Sequence, residues 1–335
     1  MARADPTPMV MPLRAGTAGA IPPPAAAARR WADELGEVDY TATPGCWVAA
    51  APPRAAPRDR VTVARRFMAQ ARQAGCRAVW FGVDARFVAQ LQLTGLRIGA
   101  EPWWHADRWP ATLAATASLR AQLRRAASKG VRIRAAAPGE LAAPGLPAQL
   151  DRLLQRWAEL HELPPMQFLC RLDPGRRHAD RTLWLAERGE HLVGCAGVIR
   201  TGGDASVITE LLRDPSAPNG TTELLFDAVQ REAATTAHGR VTLGLAPLRG
   251  DVGRLLRAVR LAMRHHYDFD GVSRWKQKLR PHRWRDQWLA YEPDTSAARA
   301  LFAVARAFAG GSLLRYAARS AARSLRRLFT GRRPR

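Results

Sequence analysis

The chain has 335 residues, 47% of them apolar, and a formal net charge of +23, with an isoelectric point near 11.5. Its length suits two domains of ordinary size, and its apolar share can build real cores. Three classes are excluded. No run reaches the ~18–20 apolar residues of a spanning helix. The N-terminus lacks the charged start, apolar run and cleavage site of a secretion signal. Cys46, Cys76, Cys170 and Cys195 are isolated from one another and form no metal-ligand pair, so free thiols in a reduced compartment are expected. The charge attracts polyanions, either nucleic acid or an anionic membrane face. Only Lys129, Lys276 and Lys278 are lysine, and a codon usage favouring Arg and Ala accounts for much of the remaining positive surface.

In chain order, residues 1–30 are rich in Pro, Ala and Gly and read as a disordered leader. A first α/β block occupies 31–138. It holds a helix over 60–73, a buried strand over 77–82, a short helix over 87–93 and a strand over 96–104. A basic helix over 118–129 and a strand over 131–135 close it. Residues 139–162 form a Gly/Pro-punctuated linker and a connecting helix with Leu150, Leu153, Leu154, Trp157 and Leu160 on one face. After Pro164-Pro165, a second block runs over 163–293. A hairpin of 182–187 with 192–200 and a strand over 205–212 precede a helix over 221–235 that Asn219 can cap. A strand over 240–245, a helix over 252–264 and a strand over 286–291 follow. Antiparallel strands, then helix, strand, helix, strand, is the order of a GNAT-like acyltransferase half. The first block has the pattern of a degenerate copy, giving an α/β (α+β) fold of two such halves in tandem.

The tail over 294–335 is basic. On a helix, Leu314, Ala317, Ala321, Leu325 and Leu328 form one stripe opposite Arg315, Arg319, Arg323 and Arg326. That is the pattern of a helix lying in a bilayer interface, each cation contributing about 1 kcal/mol near an anionic surface. The alternatives are a helix packed on the body or a tail contacting RNA phosphates. An earlier apolar stripe, Leu301, Val304, Ala305 and Phe308, precedes Gly310-Gly311.

Three segments carry more specific information: ELLRDPSAPNGT (210–221), LGLAPL (243–248), and YDFDG (267–271) with WKQKLRP (275–281) and WLAY (288–291). In this order and spacing they resemble the C-terminal catalytic domain of phosphatidylglycerol lysyltransferases, the multiple peptide resistance factors. There the pattern is D-L-M-R, P-N-G-T, N-L-G-M-A-P-L, F-Y-N-F-x-G-L and F-K-x-K-F-x-P. The resemblance covers about 163–291 and, faintly, 79–138. It implies aminoacyl-tRNA as donor, phosphatidylglycerol or a similar anionic lipid as acceptor, and a cytoplasmic protein peripheral on the inner face of the membrane. The family's membrane flippase portion has no counterpart in the sequence, so lipid synthesis without translocation is expected. Glu210 stands where the family has Asp, which leaves the amino acid and the acceptor open.

Transfer of an aminoacyl group from a tRNA ester to an alcohol exchanges one ester for another and needs neither metal nor nucleotide cofactor. The site must hold two polyanions, deprotonate a hydroxyl and stabilise an oxyanion. Lys276, Lys278 and Arg280 alternate, so two point the same way if the stretch is extended; Lys276 is expected to face a phosphate. Two of the three lysines occur here, where codon drift favours Arg, so a compact ammonium is required. Glu210 could accept the hydroxyl proton or bind the donor's α-ammonium, and Arg213 could hold phosphate; a structural ion pair is the plainer alternative. Asn219, Gly220 and Thr221 offer backbone N–H groups at a helix start, or an ordinary cap. Asp268 and Asp270 are candidates for a donor amine. Arg120, Arg124, Arg125 and Lys129 form a tRNA-backbone face or a solvated one.

Serine to glycine over 216–220 lacks the paired glycines of a pyrophosphate loop, which argues against CoA, and His265-His266 has no third ligand nearby. Two other functions fit the same residues. One is a GNAT-like transferase using aminoacyl-tRNA on a peptide or cell-wall precursor; the other is a non-catalytic membrane- or RNA-binding module.

Overall fold

The computed structural model describes residues 28–143, 145–159, 181–201, 204–236, 239–263 and 267–310. The break at Pro164-Pro165, the pair His265-His266, and the tail arginines Arg315, Arg319, Arg323 and Arg326 lie outside them.

Strands β1 (Ala28–Asp33), β2 (Gly36–Thr43) and β3 (Cys46–Ala49) form an antiparallel meander, with β4 (Arg54–Ala55) against β2. Helix α1 (Arg60–Gln73) crosses to β5 (Arg77–Val83), parallel to β3, and α2 (Ala85–Gln90) leads to the long β6 (Thr94–His105). Then come α3 (Trp109–Ala115), α4 (Ala117–Ser128), β7 (Val131–Ala135) and α5 (Gly145–Glu159). The second run repeats the first. β8 (Arg181–Arg188), β9 (His191–Arg200) and β10 (Ala205–Arg213) form a meander, and α6 (Thr221–Thr235) crosses to β11 (Arg240–Thr242), parallel to β10. The short β12 (Ala246–Pro247), α7 (Arg254–Met263) and α8 (Phe269–Lys278) lead to β13 (Arg283–Tyr291), and α9 (Ala297–Phe308) follows. The fold is thus two GNAT-like halves in tandem.

Both runs share one sheet, in the order β1-β2-β3-β5-β13-β6-β11-β10-β9-β8-β7. Strands are exchanged between the runs: β13 pairs with β5, β6 pairs with β11, β7 pairs with β8, and β6 and β13 pair with each other from Trp103–Arg283 to Thr94–Tyr291. Trp104 of β6 fastens this junction by donating its indole N–H to the Leu279 carbonyl at the end of α8, 2.8 Å away.

Helices cover both faces. One core unites residues of both runs beneath α5 and α9, including Val48, Val79, Leu185, Cys195, Leu212 and Leu289. On α5, Leu146, Leu150, Leu153 and Trp157 are buried, each worth about 1.5–3 kcal/mol. α1 and α2 cover a second core around Phe67 and Trp80. A third core, around Trp104, Trp109 and Phe226, lies under α4 and α6. The stripe read at Leu301, Val304 and Phe308 packs α9 onto the body, with Val304 buried and the other two against the same core.

Two local expectations are corrected. The strand expected over 240–245 stops at Thr242, because Gly244 turns the chain at φ +69°. The stretch expected to be extended around Lys276 is helical: Val272, Trp275, Lys276 and Leu279 are buried at helical spacing, and the Asp268 carboxylate caps α8 by accepting the Gly271 N–H at 2.7 Å. Among the described residues, no helix is long and apolar enough to cross a membrane.

Candidate active site

β10 and β11 run side by side from Ala205–Arg240 to Val207–Thr242 and then part. β10 continues along β9, with a bulge between Ile208 and Glu210 that re-aims the next side chain. Glu210 lies opposite Gly197 of β9. Because Gly197 has no side chain, Arg181 of β8 reaches over it, its Nη2 lying 3.0 Å from Oε2 of Glu210. A Cβ at Gly197 would overlap the carboxylate and lie 2.6 Å from Nη2 of Arg181. The Thr209 hydroxyl sits between the same carboxylate oxygen and the Gly197 carbonyl. Both side chains of the pair are nearly buried, at 5% and 9% exposure. The Glu210 carboxyl is thus held by its neighbours just beyond the point where two parallel strands separate. Cys195, two residues along β9, is fully buried; burial, and then the Glu210 charge, push its thiol up to about 12, leaving it unreactive.

The segment leaving β11 at the same opening is fixed by Lys276. Its Nζ donates to the carbonyls of Leu243 (3.0 Å), Gly244 (2.9 Å) and Leu245 (2.7 Å), and the residue is wholly buried. An ammonium has three N–H groups, and three successive carbonyls receive them. The expectation that Lys276 faces a donor or lipid phosphate is therefore corrected: it clamps the LGL turn.

Behind this turn is a buried polar centre. Glu101 of β6 accepts from Thr242 Oγ1 (2.9 Å), Trp103 Nε1 (3.0 Å) and Gln287 Nε2 (3.2 Å). Burial pushes its carboxyl up to about 7; the hydrogen bonds from Thr242 and Trp103 and the charges of Lys276 and Arg285 act in the opposite direction.

The other expected residues do not gather there. Arg213 is three residues from Glu210 on β10, so the two point to opposite faces. It donates to Asn219 Oδ1 at 3.0 Å, bracing the turn before α6. Asn219 is not the cap; Gly220 is, at φ +98°, and a Cβ there would overlap the Gln122 carbonyl of α4. The N–H and hydroxyl of Thr221 both donate to the Pro218 carbonyl, so both Thr221 donors are engaged by the protein's own backbone. Asp268 caps α8, and Asp270 pairs with Arg260 of α7. Lys278 and Arg280 are exposed, the latter at φ +54° just past α8. Arg120 is tied to the carbonyls of Leu113 and Ala114, closing α3. Arg124 and Arg125 on α4, and Lys129 just past its end, are exposed.

A family model described as phosphatidylglycerol lysyltransferase, C-terminal, matches residues 33–291. The chain belongs to this family. Among functionally curated proteins none matches the sequence. Solved structures share the fold. The C-terminal domain of a putative lysylphosphatidylglycerol synthetase from Agrobacterium fabrum superposes with a TM-score of 0.73 at 19% identity, covering 86% of this chain and 91% of that one. L-PGS from Bacillus licheniformis gives 0.72 at 17% identity, covering 85% and 90%.

In this lysyltransferase-family chain, the residues that sequence reasoning missed are Arg181, Thr209, Gly197 and Glu101. Two had a signal. Glycine inside the apolar run 192–200 marks a close approach, and Glu101 is the one acidic residue in the otherwise apolar run 98–104. Arg181 had none, since only strand register brings it over Gly197.

Proposed function

We propose that the protein is an aminoacyltransferase that moves an aminoacyl group from aminoacyl-tRNA to phosphatidylglycerol or a similar anionic lipid at the inner face of the membrane. Family membership supports a lipid aminoacyltransferase. The observation that carries the site assignment is the Glu210 carboxylate, held by Arg181 over Gly197 where β10 and β11 part. In this reaction a lipid hydroxyl oxygen attacks the ester carbonyl carbon. The bond to the terminal ribose oxygen of the tRNA then breaks, and the hydroxyl proton ends on that ribose oxygen. No metal or nucleotide cofactor is required for this exchange.

Glu210 is assigned to the α-ammonium of the aminoacyl group. Arg181 and Thr209 fix the carboxyl in place, which suits a residue that binds and orients a cation. Lys276 acts as a positioning residue, fixing the Leu243–Leu245 carbonyls at the same opening. The half over 163–293 is assigned the chemistry and the half over 31–138 a supporting role. The exposed Arg124, Arg125 and Lys129 supply a basic face for the tRNA backbone.

The test is mass spectrometry of lipids from cells expressing the chain, with and without Glu210→Gln. An aminoacylated phosphatidylglycerol that forms in a cell-free reaction, disappears on RNase treatment and falls at least tenfold in the variant is expected. No new amine-bearing lipid, with transfer to a soluble peptide acceptor instead, would replace the lipid by that acceptor.

A further inference from the structure

Helix α7 carries an outward face that the body leaves uncovered. It is anchored by Leu256, only 3% exposed, and by the preceding Val252. On its outer side Leu255, Val259, Leu261 and Met263 are 45%, 39%, 61% and 36% exposed. Leu255, Val259 and Met263 are four residues apart and so form one stripe. Leu261 lies about 120° round the helix from Leu255, between Arg254 and Arg257, so both arginines, exposed and making no ion pair with a described residue, sit beside exposed apolar side chains. On the opposite border Arg260 is held by Asp270. The acidic groups nearby are Asp251, Asp268 and that paired Asp270. A ten-residue helix rarely keeps four large apolar side chains exposed unless something covers them.

Guanidinium groups beside exposed apolar side chains match the boundary of an anionic bilayer, where the apolar side chains enter the acyl region and the arginines meet phosphates. Position in the chain strengthens this. α7 lies between the two elements that Lys276 ties together, the Leu243–Leu245 turn and α8. A surface resting on α7 is thereby joined to the Leu243–Leu245 turn, where β11 leaves β10.

We propose that α7 is a membrane-docking helix, seated on a phosphatidylglycerol-containing surface through Leu255, Val259, Leu261 and Met263 with Arg254 and Arg257 at the rim. It deepens the lipid-acceptor assignment above by giving the surface that meets the bilayer, and it rests on that assignment for its purpose.

The full chain is tested by co-sedimentation with vesicles of phosphatidylcholine alone or with phosphatidylglycerol. Binding that needs phosphatidylglycerol and weakens at least tenfold in Leu255→Asp/Leu261→Asp is expected; equal binding by both forms overturns the proposal. In a second measurement, Leu255→p-benzoylphenylalanine is irradiated with the vesicles. Lipid adducts support docking. Adducts to a second copy, or to another segment of the same chain, overturn it. Transfer to a short-chain, water-soluble phosphatidylglycerol separates the two assignments: the doubly substituted chain keeps that activity. If neither form transfers while vesicle binding still depends on Leu255 and Leu261, the surface stands and the enzymatic assignment falls.

Discussion

Arg181 and Glu210 belong to strands that are not neighbours, yet their charged ends lie 3.0 Å apart because the strand between them offers only Gly197 at that level. A buried ion pair is thus built on the absence of a side chain.

Gly197→Ala tests this directly. The added methyl has no room beside the carboxylate, so the pair must separate or the strand must shift. Stability should fall by about 1–3 kcal/mol, the usual cost of overpacking, measured by urea unfolding. Aminoacyl transfer should fall more than tenfold, with the larger part in KM for the aminoacyl donor.

The pair itself is open to a double-mutant cycle. Arg181→Met and Glu210→Leu each remove one partner of a buried ion pair and should cost about 3–5 kcal/mol. The double variant should cost less than the sum by more than about 1 kcal/mol. Strict additivity would mean that the two charges are not coupled.

Lys276 should behave as a structural residue first. Lys276→Met deprives three buried carbonyls of donors, each worth about 1–3 kcal/mol when left unsatisfied. A fall in melting temperature of ten degrees or more is expected. Lys276→Arg should not rescue it, since a planar fork cannot direct its N–H groups onto three converging carbonyls. A variant of normal stability without transfer would return the ammonium to substrate contact.

The Glu101 carboxyl gives a pH signature. Its affinity for a proton is raised from 4.5 to about 7 in the fold, so its contribution to stability is full below pH 4.5 and declines as pH rises through 7. The loss is of the order of 3 kcal/mol at most. Glu101→Gln removes this titration. Relative to the variant, the native chain should therefore lose stability between pH 5 and pH 8, as read from denaturant midpoints.

Much of the element sequence was legible because period and punctuation agree locally. The helix ending before Gly75, the buried strand after it and the hairpin over Arg188–Glu190 all follow from neighbours in sequence. The stretch around Lys276 was not, because Lys, Lys and Arg at alternate positions suit either period; the decisive residues are Val272, Trp275 and Leu279, whose helical spacing places Lys276 inward. Two of three lysines in one motif did signal a need for ammonium rather than guanidinium, but its partners are carbonyls more than thirty residues away. Glu210 was singled out from its motif, while its partner Arg181 depends on register across three strands. Arg213 was grouped with it by proximity in sequence, although an odd separation along a strand sends two side chains apart.

The exchanged strands bear on how the chain matures during synthesis. When β5 leaves the ribosome, its open edge has no permanent neighbour until Arg283–Tyr291 is made, and β6 likewise waits for β11. Neither half can close its sheet by itself, so an early product presents unpaired backbone that invites association with other nascent chains. Holding that edge safe until translation nears its end is a task for a chaperone, and fragments cut between the halves should precipitate rather than fold.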